Sequence, residues 1–221
     1  MKVYFITRFS ILDHKKGVWE LSTLNNKEYE KQLFSTERLD AKFVAFEKMT
    51  LPSIINQTSP NYEWLIMGSN FLPEKYKDRL KKLVKSYPKI KLFLIKDFTE
   101  FYNILGKYPF GKNYATVRLD DDDGLNKDYV QILQKYKDND KHIISFPHGH
   151  KYKIENNKII TREKNIYVRD LALGLCAINM NIHKCGDHRK IGEKYKVIYD
   201  ETKNIYNLLC SPYCDTKRVF P

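Results

Sequence analysis

The sequence is poor in the features that divide a chain into several domains. It has only 9 glycines and 8 prolines in 221 residues, and neither type is concentrated in a linker-like stretch. We find no internal repeat and no low-complexity tract, which argues against a solenoid or a disordered chain. A chain of this length suits one large domain. We therefore expect a single domain over residues 1–221.

Long hydrophobic runs are absent as well. No apolar stretch approaches the roughly 20 residues that a membrane-spanning helix needs. The apolar run at residues 3–6 is too short for the core of a signal peptide, and the charged Arg8 soon interrupts it. These absences predict a soluble, cytoplasmic protein without a transmembrane segment, and they leave peripheral membrane contact open.

Cysteine is scarce, with four residues that all lie in the last quarter of the chain. A disulfide scaffold would be smaller and denser in cysteine. Cys210 and Cys214 have nearly the spacing of zinc ligands, but no second pair with such spacing accompanies them. Reduced thiols are therefore the prediction for Cys176, Cys185, Cys210 and Cys214.

Acidic residues are fewer than basic ones, with 27 Asp and Glu against 39 Lys and Arg and a net charge of +12. Nucleic acid, an anionic membrane surface and a phosphorylated small molecule all fit that sign. The lysines are spread along the chain, so charge alone does not choose among these partners. Against this background, the four consecutive aspartates at residues 120–123, called the acidic run below, need a reason.

Apolar runs and helical periodicities alternate through the first part of the chain. This alternation predicts a mostly parallel sheet with helices on both faces. A long loop is expected at 7–31, and the helix at 36–56 is expected to be kinked or in two pieces because of Pro52. The predicted strands are 3–6, 62–67, 90–95 and 114–119, and the predicted helices are 36–56, one starting at Pro73, a short one capped by Thr99 and one capped by Asn126.

The pattern changes in the last third of the chain, where antiparallel character is expected. A strand at 143–146 is followed by a hairpin, with strands at 151–155 and 158–161 around Asn156 and Asn157. Another strand is predicted at 171–178 and a helix around 201–209. The fold class is therefore α/β, a mostly parallel central sheet with a smaller antiparallel C-terminal part.

The acidic run follows directly on a predicted buried strand. In open α/β sheets, ligands bind at the carboxyl ends of the strands. Carboxylates packed together there repel one another unless a cation neutralises them, and hard oxygen ligands suit Mn²⁺ or Mg²⁺. The run is thus interpreted as a clamp for a metal and a diphosphate. The alternative is a solvated acidic loop, or acidic residues that favour the start of the helix at Asn126.

Several segments, which occur along the chain in the same order as the corresponding motifs, resemble GT-A glycosyltransferases. Residues 51–66 read LPSIINQTSPNYEWLI and residues 117–126 read VRLDDDDGLN. Thr7-Arg8-Phe9 and the segment from Glu37-Arg38 to Phe46 are similar, more specifically, to a rhamnosyltransferase family of that fold. The resemblance covers about residues 1 to 135, and the ordered set is more specific than any single motif.

The resemblance implies a single GT-A, Rossmann-like domain. Residues 1–125 would be the nucleotide-sugar-binding half and residues 126–221 the acceptor-binding half. The implied reaction is the metal-dependent transfer of a sugar, with rhamnose as one candidate. The donor would be a nucleotide-diphosphate sugar of the UDP, dTDP or GDP type. The acceptor would be a hydroxyl of a glycan or glycoconjugate, as in polysaccharide biosynthesis, and the outcome inversion.

Site residues follow from the resemblance by position. Asp120 would face the donor sugar or ribose, Asp122 would bind the metal, Asp121 would be a spacer and Asp123 would support the loop or act in catalysis. Ser69 or Asn70 would replace an acidic contact to the base that the segment 66–70 lacks. The remaining donor-binding candidates are Thr7, Arg8 and Phe9 on the nucleobase side, Arg38 for phosphate, and Arg118 of the strand-ending motif.

In the C-terminal third, His188 is the candidate further metal ligand and Asp187 the candidate general base, with Asp170 and Asp123 as alternatives. The alternatives without a catalytic role are that Asp187 caps a helix and that His188 is an exposed polar residue. Arg38 could equally form an ion pair with Glu37 or Asp40 on a helix surface. His148 and His150 are interpreted as part of a loop in the acceptor cleft rather than as metal ligands.

Two other functions remain open from the sequence. A nucleotidyltransferase would also use metal-bound carboxylates, but it would usually carry a Gly-rich phosphate loop after the first strand, and residues 7–17 are not Gly-rich. A non-enzymatic polyanion-binding protein would fit the charge of +12. It would give the acidic run no role, so nucleic acid is not the expected partner.

Overall fold

A computed structural model describes residues 1–12, 24–137, 140–155, 158–169 and 171–211. The strands in these ranges are β1 (Lys2–Phe9), β2 (Tyr62–Ser69), β3 (Ile90–Ile95), β4 (Tyr114–Arg118), β5 (Gly124–Leu125), β6 (His142–Ser145), β7 (His148–Glu155), β8 (Lys158–Tyr167), β9 (Cys176–Ile178), β10 (Val197–Tyr199) and β11 (Tyr206–Cys210). The α-helices are α1 (Asn26–Leu33), α2 (Thr36–Ala45), α3 (Leu51–Ile55), α4 (Glu74–Val84), α5 (Phe98–Lys107) and α6 (Tyr129–Leu133).

Within the described ranges, seven strands form the central sheet, in the order β10-β6-β9-β4-β1-β2-β3. Strands β3, β2, β1 and β4 are parallel to one another, and β9 runs antiparallel to both β4 and β6. The predicted α/β class with a largely parallel sheet is confirmed. Because β1, β2 and β4 are parallel, their carboxyl ends meet at one edge of the sheet, and the acidic run follows β4 there.

Helices cover both faces of this sheet, as predicted. Side chains alternate between the faces along each strand. Val3 and Phe5 of β1 belong to the larger core, which includes residues of α2 and α4. Ile6 of the same strand packs on the other face, in a cluster with Leu65 of β2 and Phe101 of α5.

The helix predicted at 36–56 is confirmed as a helix in pieces. Ser35 caps α2, with its hydroxyl accepting a hydrogen bond from the backbone N–H of Arg38. A π-helical segment, Phe46–Thr50, joins α2 to α3, and Pro52 lies in the first turn of α3, where its missing N–H costs little. This long helix carries Arg38 and Lys42 past the end of β1.

A second sheet has the strand order β5-β11-β7-β8. Its β7–β8 pair is the predicted antiparallel hairpin, with Glu155 opposite Lys158, and the turn residues 156 and 157 lie outside the described residues. β11 pairs antiparallel with β5 and parallel with β7. The strand β5 immediately follows the acidic run, so this sheet adjoins the carboxyl edge of the central one.

Five predictions about elements were wrong. Asp128, rather than Asn126, is the N-cap residue of α6. The loop at 7–31 is shorter, because β1 continues to Phe9 and α1 begins at Asn26; residues 13–23 lie outside the described residues. The helix at 201–209 is instead strand β11. The strand at 171–178 covers only Cys176–Ile178, since the chain turns at Gly174 with φ +68°. Asp97, rather than Thr99, caps the helix α5.

In the described ranges, no helix has both the length and the hydrophobicity to cross a membrane. Cys176 and Cys185 are buried free thiols, and Cys210 is a partly exposed free thiol. Burial raises the pKa of the Cys176 thiol well above its ordinary value. Cys214 lies outside the described residues.

Candidate functional site

The acidic run forms a turn at the carboxyl edge of the central sheet. Leu119 still donates its N–H to the carbonyl of Ile6 (3.2 Å), so the chain stays beside β1 after β4 has ended. The N–H of Asp123 then approaches the carbonyl of Asp120 at 3.4 Å, and Gly124 starts β5. A Cβ on Gly124 would lie 3.0 Å from Cγ of Met49, so glycine permits the close approach of this turn to the long helix.

Asp120 is held by two arginines. Arg8, on β1, donates to Asp120 Oδ1 at 3.0 Å, and Nε of Arg118 lies 3.7 Å from the same oxygen. Burial by itself would raise the pKa of the Asp120 carboxyl. The charges of Arg118 and Arg8, the hydrogen bond from Arg8 and the charge of Lys42 outweigh it and hold that pKa well below its usual range. Asp120 is therefore ionised at neutral pH.

Lys42 lies on the other side of the run. Its side chain is only 4% exposed, and its ammonium group donates to Asp121 Oδ1 at 2.7 Å and to Asp122 Oδ2 at 3.1 Å. Asp121 and Asp122 are themselves 3% and 7% exposed, so all three charged groups are buried together. Sequence reasoning missed Lys42. The signal for it was present, because Lys42 stands at a basic position of the segment from Glu37 to Phe46 that carries the family resemblance.

Asp123 connects the run to the second sheet. It is 5% exposed, and its Oδ1 accepts a hydrogen bond from the backbone N–H of Leu209 in β11 at 2.9 Å. An aspartate oriented by the backbone in this way stabilises the turn. The contact places the predicted catalytic candidate Asp123 in a supporting position.

Among the described contacts, Arg8 and Arg118 thus lie beside Asp120, and Lys42 lies beside Asp121 and Asp122. Across the described ranges, no group of three or more His, Cys, Asp or Glu side chains is arranged to hold a metal ion. Magnesium-type ions commonly use only one or two carboxylates together with substrate phosphates. Asp120 and Asp122 supply carboxylate oxygens, the type of ligand that such ions use.

The sequence was compared with protein-family profiles and with curated proteins. The profile of the family described as "Putative rhamnosyl transferase" matches residues 2–209. The chain belongs to this family. No curated protein sequence matches it at a significant level.

Solved structures with this fold include two glycosyltransferases. GalNAc-T7, crystallised with UDP, GalNAc and Mn²⁺, has a TM-score of 0.53 and 13% sequence identity over 95% of this chain and 44% of its own. Residues 1–349 of TarS from S. aureus have a TM-score of 0.50 and 11% identity over 95% of this chain and 60% of that one. The chain therefore spans less than two thirds of each of these two structures, and at these identities the likeness concerns the fold.

Some residues of the rhamnosyl transferase family motifs lie in the interior of the protein. The side chains of Thr7 and Phe9 are fully buried: Thr7 accepts a hydrogen bond from the indole N–H of Trp64 (2.9 Å), and Phe9 packs on Phe43 and Phe46. Neither side chain offers a surface to a donor in this conformation.

Arg38 and Gln57 also lie in the interior rather than at the acidic run. Arg38 is 4% exposed and donates to Oγ of Ser10 and to the carbonyl of Leu33, both at 3.1 Å, so it anchors the chain where it leaves β1. Gln57 bonds the carbonyl of Asn126 and the N–H of Val130, which fixes the segment after the run. Among the predicted phosphate contacts, Arg8 is the one placed at the run.

At the end of β2, Ser69 is fully buried and its Oγ accepts a hydrogen bond from the N–H of Phe71 at 3.2 Å. Asn70 follows at the carboxyl edge, and its Oδ1 is buried without a hydrogen-bond partner among the described residues. Buried acceptors are nearly always satisfied, so this oxygen calls for a donor. Of the two candidates, Ser69 has a hydrogen-bond partner for its Oγ, whereas Asn70 Oδ1 has none among the described residues.

His183 is a second residue that sequence reasoning missed. It lies in a short 3₁₀-helix, Ile182–Lys184, and its ring meets Phe101 of α5 edge to face at 5.1 Å. Burial, and then the nearby charges of Arg8 and Arg118, lower the pKa of His183 well below its ordinary value, although the charge of Asp120 and a backbone hydrogen bond to Ile6 act in the opposite direction. A neutral imidazole thus lies beside the arginines, and no motif in the sequence marks it.

Asp187 and His188 are in a different setting. Asp187 caps the 3₁₀-helix His188–Glu193, accepting from the N–H of Arg189, and its carboxylate also pairs with the Arg189 guanidinium at 2.8 Å. These hydrogen bonds lower the pKa of Asp187 to about 2. Nδ1 of His188 lies 3.6 Å from Asp187. Asp187 therefore has the helix-capping role that was the alternative to a general base. Asp170, another candidate base, lies outside the described residues.

The two histidines of the segment 148–150 lie on β7. His148 is buried, with Nε2 2.7 Å from the Glu201 carboxylate and 2.9 Å from the Lys203 ammonium. Nδ1 of His150 accepts a hydrogen bond from the N–H of Asn165 on β8. Both histidines therefore have protein partners, His148 in the segment before β11 and His150 on β8.

Proposed function

We propose that this chain is a metal-dependent glycosyltransferase that moves a sugar from a nucleoside-diphosphate donor to a hydroxyl group of a glycan or glycoconjugate, with inversion at the anomeric carbon. The observation that carries the proposal is the placement of the acidic run. It lies at the carboxyl edge of a largely parallel sheet, between Arg8 and Arg118 on one side and Lys42 on the other, in a chain of this family.

The edge of the sheet supports a donor diphosphate at this place, because ligands of open α/β sheets bind beyond the carboxyl ends of the strands. Arg8 and Arg118 supply guanidinium groups, whose planar donors match phosphate oxygens. Asn70 follows the neighbouring strand β2, and its side-chain oxygen would accept a hydrogen bond from the nucleobase or the sugar. GalNAc-T7, which shares the fold, was crystallised with a nucleoside diphosphate and Mn²⁺.

Asp122 and Asp120 are the residues that would hold Mn²⁺ or Mg²⁺. When bound, the metal would neutralise the negative charge that develops on the departing diphosphate. Asp121 would keep Lys42 in place, and Asp123 would fix the turn on β11 through Leu209.

An acceptor hydroxyl must lose its proton as the sugar is transferred, and a carboxylate on the opposite face of the sugar would accept it. Asp187 was the first candidate, but a carboxyl with a pKa of about 2 is a weak base. Asp123 is the second candidate and Asp170 the third. If the donor is dTDP-β-L-rhamnose, attack from that face gives an α-linkage, and this donor is the first to test.

The experiment is a thermal-shift panel of UDP-, dTDP- and GDP-sugars with and without Mn²⁺, followed by calorimetric titration of the best donor. Asp122→Ala is expected to abolish the Mn²⁺-dependent part of donor affinity and the transfer reaction. Asp78→Ala, on the exposed face of α4, is the matched control and should bind as the wild type does. Unchanged Mn²⁺-dependent affinity in Asp122→Ala would refute the proposal, as would a panel in which only nucleoside triphosphates bind.

A further inference from the structure

Lys42 is a lysine whose ammonium group is enclosed with the acidic run. Lysine is almost never fully buried unless it is paired, because an ammonium that leaves water needs close anionic partners. Here the partners are Asp121 at 2.7 Å and Asp122 at 3.1 Å, and the lysine side chain is 4% exposed. The double pairing is what permits the burial, and it also holds the two carboxylates in a fixed orientation.

The ammonium group and a divalent ion would compete at Asp122. Both need oxygen lone pairs of the same carboxylate, and two cations a few ångströms apart in a buried site repel each other strongly. The contact of Lys42 with Asp121 is the shorter of its two contacts. Lys42 can therefore keep Asp121 while it gives up Asp122.

We propose that Lys42 is a resident counter-cation of the acidic run, and that a divalent ion must displace it from Asp122 in order to bind. The displaced ammonium group needs another anion, and the diphosphate of a donor supplies one beside the same turn. Lys42 thus makes metal binding depend on the nucleotide. This last step rests on the proposed function, whereas the competition at Asp122 requires only the contacts of Lys42 and the binding of a divalent ion to that carboxylate.

The test measures Mn²⁺ binding by the full chain without any nucleotide, from the electron paramagnetic resonance signal of free Mn²⁺. Lys42→Met keeps the length of the side chain and removes the charge, so it is expected to bind Mn²⁺ at least about tenfold more tightly than the wild type. Lys42→Arg keeps a cation in place and is expected to stay within about threefold of the wild type. Asp122→Asn is expected to abolish Mn²⁺ binding both in the wild type and in Lys42→Met.

Removal of a buried cation can destabilise the turn, so a second variant is needed. Lys42→Met combined with Asp121→Asn removes one cation and one anion together, keeps the net charge of the turn and still leaves Asp122 without the ammonium group. Tighter Mn²⁺ binding is expected in this double variant too. Circular dichroism and the thermal midpoint of unfolding in EDTA show which variants are folded. Mn²⁺ affinities are compared only among the folded variants.

Equal or weaker Mn²⁺ affinity in the folded Lys42 variants would overturn the proposal. Failure of the proposed function has a different signature. In that case no nucleotide sugar binds the wild type, while Lys42→Met still gains Mn²⁺ affinity. If donors bind but the Lys42 variants show no gain, the function stands and the role of Lys42 falls.

Discussion

The ionisation of Asp120 depends on two neighbouring arginines. Its side chain keeps 32% of its surface exposed, yet Arg8 and Arg118 both lie within 4 Å of one of its oxygens. Because these partners hold its folded-state pKa below the unfolded value of about 4, the carboxylate contributes stability above that pH. The contribution is lost as the pH falls through the folded pKa.

We predict that Asp120→Asn lowers the free energy of unfolding by about 1–2 kcal/mol at pH 7, since it leaves two partly buried guanidinium groups with less anionic compensation. The deficit relative to the wild type should narrow below about pH 4, where the wild-type carboxylate also begins to be protonated on unfolding. Urea unfolding followed at pH 7, 5, 4 and 3 measures both effects.

Asp187→Asn is the control for that comparison. Its ion pair with Arg189 is exposed, and an asparagine still caps the 3₁₀-helix, so a change within about 0.5 kcal/mol is expected. A pH-independent difference between wild type and Asp120→Asn would show that the arginines do not act through the charge of Asp120.

At the scale of single residues, the sequence located the acidic side chains of the site better than the basic side chains Lys42 and His183. The acidic run could be located because it follows a continuous apolar strand, and Arg8 because it ends another. Lys42 could not be recognised as buried, since a lysine in an amphipathic helix is ordinarily read as facing solvent. Its burial depends on how α2 crosses the end of β4, which is a tertiary property. The same holds for His183, which reaches the arginines only after the chain has turned back from β9.

Among the elements, β11 is the one whose assignment as a strand rather than a helix affects the site. The pattern at 201–209 predicts a helix, but Tyr206, Leu208 and Leu209 are buried in the strand between β5 and β7. Short apolar runs do not distinguish a buried strand from a helix without the neighbours they pair with. Because β11 supplies the N–H that binds Asp123, the wrong assignment also concealed the supporting role of that aspartate.

The close approach of β7 to β11 depends on Gly149. A Cβ there would lie 2.5 Å from the carbonyl oxygen of Tyr206 and closer still to the Tyr206 ring, and the backbone cannot yield without disturbing the pairing. We predict that Gly149→Ala lowers the free energy of unfolding by about 1–3 kcal/mol. Differential scanning calorimetry, with urea unfolding as a second measurement, tests this.

Gly106→Ala is the matched control, because the nearest atom to a Cβ at Gly106 in α5 is Nζ of Lys184 at 3.5 Å. Alanine is the better helix former, so this variant should be unchanged or more stable by up to about 1 kcal/mol. If both variants were equally stable, the packing of β7 on β11 would be looser than these contacts indicate.

For the molecule as a whole, the sequence predicted a single α/β domain with a different C-terminal part, and the two-sheet arrangement agrees with it. The division into a nucleotide-sugar half (1–125) and an acceptor half (126–221) stays a prediction. The sequence could not show that the two parts share the acidic run. Asp120 is held by the central sheet through Arg8, and Asp123 by the second sheet through Leu209, so the site lies where the sheets meet.

That shared turn leads to a prediction about ligand binding by the whole chain. Because Arg8 and Lys42 already pair with Asp120, Asp121 and Asp122, part of the charge that would attract a divalent cation or a diphosphate is compensated within the turn. Each ligand, once bound, supplies the charge that the other needs. We therefore predict that Mn²⁺ and UDP, or whichever nucleoside diphosphate binds best, raise each other's affinity by about tenfold or more.

Linkage requires the two factors to be equal, which makes the prediction sharp. Calorimetry gives the affinity of the nucleoside diphosphate with and without saturating Mn²⁺, and the resonance of free Mn²⁺ gives the reciprocal quantity. Mg²⁺ should act in the same direction, because its ligand preferences are similar. Independent binding, with both factors near one, would mean that the metal and the diphosphate do not meet at the acidic run, and it would place the donor elsewhere on this edge of the sheet.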